Sequence, residues 1–173
     1  MRGLRFVLLL LLFGLPVGAA EMEESWSFSD ETVAAESPRG RQARAAIHRG
    51  DLLVALRCHT DGSRRWESLL VGATWFLHPK AHLVFELSVD AGSPQVLEFR
   101  RDTNFRFSLL SPPLALIQAL GEGSELTIGG PDFDGGPRTV PLKGSKTAID
   151  GAFGLCGYHP LSDENEAAPE GAG

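Results

Sequence analysis

The stretch His82-Leu-Val-Phe-Glu-Leu-Ser-Val89 decides the fold, because large apolar residues occupy every second position near its centre. In a strand, successive side chains point to opposite faces, so this pattern gives the stretch one apolar face. Turn-forming residues follow at 90–94, and the same period resumes at Val96–Arg100 and Phe105–Leu109. The middle of the chain therefore predicts a meander of half-buried strands.

Two further strands are predicted before this meander. Leu52–Cys58 (LLVALRC) is the first strong apolar run after the start of the chain and indicates a buried strand. The turn dipeptide Asp61-Gly62 separates it from Trp66–Val71, so the two runs predict a hairpin. Near the beginning, Trp26-Ser27-Phe28 indicates one short strand in a polar setting.

The last third of the chain adds two short helices and two short strands. Pro112-Pro113 precedes apolar residues that recur every three positions, which predicts a helix capped at Gly121. A second helix is predicted from Ser145 onward, and brief strands are predicted at Glu125–Ile128 and Thr139–Leu142. The predicted class is mainly β, either an immunoglobulin-like β-sandwich or an open barrel, with one or two short helices.

The first twenty residues predict export. Arg2 and Arg5 form a basic start, Phe6–Leu15 is almost wholly apolar, and small residues precede Glu21. This order is typical of a cleaved signal peptide, and the apolar run is only about half the roughly 20 residues that cross a bilayer. Residues 1–20 are therefore predicted to be removed, leaving a periplasmic or extracellular protein without a membrane anchor.

Charge divides the remaining chain into three parts. Residues 21–37 form an acidic lead with six acids and no base, and the last twelve residues hold four acids and no base. Between them, 38–160 are predicted to form one domain with 14 basic and 12 acidic residues, and 161–173 to be a disordered tail. Because the domain has no basic stripe, the sequence argues against nucleic acid and against anionic membranes as partners.

Cys58 and Cys156 are the only cysteines, 98 positions apart. An isolated pair in an oxidising compartment predicts a disulfide between them. Zinc is the alternative, since His59 and His159 accompany the two thiols, although adjacent residues of a strand point to opposite faces.

Catalytic and metal motifs are weak in this chain, and the sequence predicts no cofactor. The pairs His78 and His82, Asp132 and Asp134, and Glu86 and Glu98 are each read more simply as surface or loop residues. Arginines next to aromatic residues are favoured at protein interfaces. The predicted interface residues are Arg64, Arg65, Trp66, Arg100, Arg101 and Arg106.

Six short segments between residues 26 and 156 form a recognisable series: Ala55-Leu56-Arg57-Cys58, Phe85–Gly92, Leu116-Ile117 with Leu120, Val140–Gly144, Ala148-Ile149 and Cys156. In the order of these segments the chain resembles the VasI-like family, small exported proteins associated with type VI secretion. Exported proteins of the invasion-associated locus B type resemble it almost as well. Both resemblances imply a β-sandwich-like fold, and neither supplies a catalytic residue.

Together these observations predict a non-enzymatic, exported protein that binds an envelope or secreted protein as an accessory of a secretion or envelope system. The alternative is an inhibitor of an envelope hydrolase such as lysozyme. The sequence does not predict the oligomeric state.

Overall fold

The computed structural model describes residues 25–30, 41–61, 64–73, 80–103, 105–133 and 135–161. These residues form nine strands and two helices. The strands are β1 Ser27–Asp30, β2 Arg41–Arg49, β3 Leu52–Asp61, β4 Arg64–Ala73, β5 His82–Val89, β6 Gln95–Thr103, β7 Arg106–Leu110, β8 Glu125–Gly129 and β9 Arg138–Pro141. The helices are α1 Leu114–Glu122 and α2 Ser145–Leu155.

All nine strands belong to one antiparallel sheet in the order β1-β2-β3-β4-β7-β6-β5-β8-β9. The sheet is open, and the predicted mainly β class with two short helices is confirmed. Strand β5 has the predicted bounds, and β3 pairs with β4 as the predicted hairpin, with Cys58 opposite Glu67.

Strand β2 lies outside the predicted elements, although it pairs with β3 over its whole length, from Arg41 opposite Thr60 to Arg49 opposite Leu52. Its sequence RQARAAIHR is rich in alanine and arginine, which do not favour a strand by themselves. Ala43 and Ala45 are fully buried on the face against which α2 packs. Small side chains at these positions let the helix approach the sheet closely.

The main core lies on one side of the sheet, which we call the inner face, and includes the buried sides of both helices. Phe85 is at its centre, with ring centroids 4.9 Å from Phe99 and 6.3 Å from Phe107. Leu116, Ile117 and Leu120 of α1 enter the same core, as the three-residue spacing predicted.

The cap of helix α1 lies two residues past the predicted cap. Gly123 ends the helix, and its N–H donates to the carbonyl of Ala119 at 2.8 Å. Gly121 has a packing role instead, because a Cβ there would lie 2.4 Å from a methyl carbon of Leu161. The prediction of a cap at Gly121 was wrong because a glycine near a helix end serves either purpose.

Trp26 brings the two ends of the sheet together. Its backbone N–H donates to the carbonyl of Lys143 at 3.0 Å, and its indole Nε1 donates to the carbonyl of Pro141 at 3.1 Å. Arg49 also donates to the carbonyl of Thr139. Trp26 is 5% exposed, so part of the predicted acidic lead completes the core and supplies β1.

Candidate functional site

The face of the sheet opposite the main core, which we call the outer face, is where large apolar side chains meet solvent. Among the described residues six large apolar side chains are exposed, and the strand register places three of them here: Trp66, Val96 and Leu110. Trp66 is 38% exposed and Leu110 is 59% exposed. Exposed apolar residues grouped on one face are more typical of interaction surfaces than scattered ones.

Four outer-face residues on neighbouring strands form what we call the docking patch: His59, Trp66, Leu110 and Arg100. His59 and Trp66 are directly opposite each other on β3 and β4, and their rings stack with centroids 5.3 Å apart and planes 6° apart. Leu110 is opposite Ser68, so it is the diagonal neighbour of Trp66. Arg100 is opposite Ser108 and therefore diagonal to Leu110. Diagonal neighbours lie about 7–8 Å apart, within reach of long side chains.

Farther along β2, β3 and β4 from the patch, the outer face has its own small apolar cluster. Ala46, Leu53, Ala55 and Leu70 form it, and Leu70 and Ala55 have no exposed surface. Beside this cluster, Arg57 on β3 lies 3.6 Å from Asp102, at the irregular pairing of β6 with β7.

The structure separates the predicted interface residues onto the two faces. Trp66 and Arg100 lie in the docking patch, and Arg106 lies farther along the outer face on β7. Arg101 is on the inner face, where its guanidinium is 5.7 Å from the ring centroid of Phe107 and donates to the carbonyl of Lys80. Adjacent arginines of a strand point to opposite faces, so sequence adjacency did not imply a shared site.

Arg65 also faces inward, at the edge of the core beside Tyr158. Its guanidinium carbon is 4.0 Å from the Tyr158 ring centroid, and its Nε lies 3.0 Å from a carboxylate oxygen of Glu67. Arg64 is the first residue of β4, and its side chain falls outside the described part of the chain.

The environment of Tyr158 raises the pKa of its phenol. Burial is the larger cause, because it disfavours the phenolate, and the negative charge of Glu67 acts in the same direction. The positive charge of Arg65 opposes them and lowers the pKa. These three residues form a structural cluster at the edge of the inner face.

The predicted disulfide between Cys58 and Cys156 is present, with Cα atoms 6.4 Å apart. It links β3 to the end of α2. His59, the first histidine of the alternative zinc set, is stacked on Trp66 on the opposite face from Cys58. Within the described ranges, no three His, Cys, Asp or Glu side chains are grouped so that they could hold a metal ion.

The other candidate pairs are not brought together as sites. Asp132 lies 2.7 Å from the Lys80 ammonium and accepts the N–H of Val84, whereas Asp134 and His78 are outside the described residues. Glu98 is opposite Val84 and contacts His82. Glu86 is opposite Val96, so the two glutamates do not form a directly opposed pair.

Two residues of the docking patch were not predicted as interface residues. The sequence indicated His59 only as a ligand of the alternative zinc site and did not single out Leu110, and each directly follows a predicted strand. Extending the period of two by one or two positions would have placed each on the polar face of its strand. Their proximity depends on β4 pairing with β7, which joins strands that are not consecutive in the chain.

No helix within the described ranges is long and apolar enough to cross a membrane. The comparisons with known proteins identify no relative: no family model, no curated protein and no solved structure matches the chain.

Proposed function

We propose that this protein is an exported, non-enzymatic binding module that holds a protein partner against the docking patch. The observation that carries the proposal is the exposure of Trp66 and Leu110 next to Arg100 on one face of the sheet. Tryptophan and arginine dominate the binding energy of many interfaces, because they combine large contact area with directional hydrogen bonds.

The charge of the patch specifies the chemistry of the partner. Arg100 is exposed and forms no ion pair or hydrogen bond with the residues that the structure describes. Its guanidinium is therefore available to a carboxylate of another protein, which it binds well in a two-pronged geometry. The partner that fits is a protein surface with an apolar residue for Trp66 and Leu110 and an acidic residue for Arg100.

Export is the second part of the proposal. The amino-terminal sequence and the disulfide support it, since an isolated cysteine pair remains oxidised outside the reducing cytosol. The resemblance to VasI-like exported proteins supports a place as an accessory of a secretion or envelope system. A mature protein that begins at Glu21, measured by mass spectrometry of the envelope and secreted fractions, would support this part. A full-length chain retained in the cytosol would refute it.

Site-specific photo-crosslinking in the producing cells tests the docking patch. A photoreactive phenylalanine replaces Leu110, and the matched control replaces Leu114, an exposed residue of α1, the helix whose buried side belongs to the inner-face core. We expect one crosslinked protein from position 110 and none of that mass from position 114.

Two substitutions then test the residues themselves. Trp66→Ala should abolish the crosslink from position 110, and Arg100→Glu should weaken it by charge repulsion, while Leu114→Ala should leave it unchanged. Equal crosslinking from positions 110 and 114, or a crosslink insensitive to Trp66→Ala, would contradict the proposal. An envelope hydrolase as the crosslinked partner would indicate the inhibitor alternative.

A further inference from the structure

A cleft of about 540 Å³ opens at the other end of the outer face, away from the docking patch. It lies where the turn between β2 and β3 comes close to the turn between β6 and β7. Among the residues that the structure describes, those that line the cleft are His48, Gly50, Asp51, Leu53, Gly72, Ala73, Thr103, Phe105 and Arg106. A volume of this size falls within the range of roughly 300–1,000 Å³ that is usual for small-molecule sites.

The floor of the cleft is apolar. Leu53 of the outer-face cluster is buried there, and Phe105 stands at the side with 44% of its surface exposed. Gly72 is opposite both Leu53 and Arg106 in the sheet. A Cβ at Gly72 would lie 3.0 Å from Arg106 Cγ and 3.1 Å from the Phe105 carbonyl oxygen. The absent side chain therefore lets the stem of Arg106 and the backbone of Phe105 approach the floor.

The charged groups of the cleft favour an anion at one position. Arg106 is exposed, and within the described ranges neither it nor His48 forms a hydrogen bond or an ion pair. Among the described residues that line the cleft, Asp51 is the one acid, and it also lines a second cleft with Arg49, Pro137 and Arg138. Asp51 therefore lies on the boundary between the two clefts, whereas Arg106 belongs to the larger one alone.

We propose that the larger cleft binds a small amphipathic organic anion. Its aromatic or aliphatic body contacts Leu53 and Phe105, and a single carboxylate, sulfonate or phosphate group pairs with Arg106. An apolar body gains free energy by leaving water, and the charge-assisted hydrogen bonds of a guanidinium orient the anionic group. This site is separate from the docking patch and does not depend on the proposed protein partner.

A pair of fluorescent dyes tests the proposal on the mature protein. The first is anilinonaphthalene sulfonate, and the second is its uncharged parent, N-phenylnaphthylamine, which has the same apolar body without the sulfonate. We expect the sulfonate dye to bind about fivefold more tightly, as for an ion pair at a partly exposed site.

Substitutions show which residues bind the apolar body of the ligand and which bind its anionic group. Arg106→Gln should raise the Kd of the sulfonate dye about fivefold and leave that of the parent unchanged. Phe105→Ala should weaken both dyes, because both share the apolar body. Asp51→Asn should increase the affinity for the sulfonate dye alone, because it removes a nearby negative charge. Arg138→Gln, in the neighbouring cleft, is the matched control and should change neither Kd.

The proposal would be overturned if the protein bound the two dyes with equal affinity. It would also be overturned if Arg106→Gln lowered the affinity for both dyes by the same factor. If Arg138→Gln abolished the preference for the sulfonate dye, the proposal would also be overturned, because the anion would then bind in the neighbouring cleft. The substituted side chains are on the surface, so an unchanged circular dichroism spectrum and thermal midpoint will show that each variant is folded. Trp66→Ala and Leu110→Ala should retain dye binding, which separates this test from that of the docking patch.

Discussion

The inner and outer faces of the same sheet use their residues differently. The inner face buries Phe85, Phe99 and Phe107 in a core to which both helices contribute, and a disulfide links one of those helices to β3. The outer face has only a small apolar cluster and leaves Trp66, Leu110 and several arginines at the surface. Apolar burial is therefore concentrated on one face, whereas the other presents apolar and basic side chains to solvent.

Replacing one large side chain on each face should give the largest contrast. Phe85→Ala removes a fully buried ring and should lower the free energy of unfolding by about 4 kcal/mol, because it leaves a cavity. Leu110→Ala removes an exposed side chain and should cost less than about 0.5 kcal/mol. Urea unfolding followed by circular dichroism measures both. A loss of about 2 kcal/mol or more from Leu110→Ala would show that the outer face also carries the stability of the fold.

The disulfide should be the next largest contribution. Changing both Cys58 and Cys156 to serine should lower the free energy of unfolding by about 3–4 kcal/mol, because the bridge closes a loop across 98 positions. Denaturant midpoints of the oxidised and reduced wild type and of the double variant measure this effect. Reductant should shift the wild type and leave the double variant unchanged. Two alkylatable thiols in the native oxidised protein would show that the bridge is absent.

The ion pair of the outer face should contribute little. Asp102→Asn removes the charge of the carboxylate that lies 3.6 Å from the Arg57 guanidinium, and the Asp102 side chain is more than one-third exposed. Water screens such a pair, so we expect a loss of about 0.5 kcal/mol that shrinks in 1 M salt. Thermal unfolding at low and high salt measures it. A loss above about 2 kcal/mol, unaffected by salt, would indicate that this pair organises the outer face.

Tyr158 is the only tyrosine of the chain, so its titration reports the edge of the inner face alone. The ultraviolet absorbance of the phenolate should appear at a pH above the ordinary value near 10, because burial and Glu67 raise the pKa. Glu67→Gln should lower the pKa and Arg65→Gln should raise it further. The neutral phenol is favoured by folding, so its contribution to stability is present below about pH 10 and is lost as the pH rises through the raised pKa.

Shifts of the same sign in the two variants would contradict the arrangement of Arg65 and Glu67 around Tyr158. Circular dichroism at each pH is the control, because the ring titrates at its ordinary value once the protein unfolds.

The fold was predictable from the sequence where the alternation of apolar and polar side chains is enough to define a strand. Strand β5 and the hairpin of β3 and β4 follow from alternation and turn residues, and the cysteine pair follows from its isolation. Strand β2 was not predictable in this way, because its alanines and arginines favour no strand until β3 and α2 provide partners. The pairing of β4 with β7 depends on long-range packing, and so does the single-sheet arrangement.

The same limit explains the partial prediction of the candidate site. Trp66 and Arg100 were singled out by residue type, and the structure places both in the docking patch. Arg65 and Arg101 were singled out for the same reason, but the alternation of a strand turns them to the inner face. Residue type indicates which side chains suit an interface, and only the register shows which of them share a surface.

The hydrogen bonds of Trp26 have a practical consequence for producing this protein. A shortened chain starting after Asp30 would lack the indole and the whole of β1, and the backbone groups of β2 would then be free to pair with another molecule. Such a fragment should aggregate during purification even though most of the fold is intact. An affinity tag for recombinant work should therefore be placed at the end of the chain far from Trp26, and the segment that contains Trp26 and β1 should be kept.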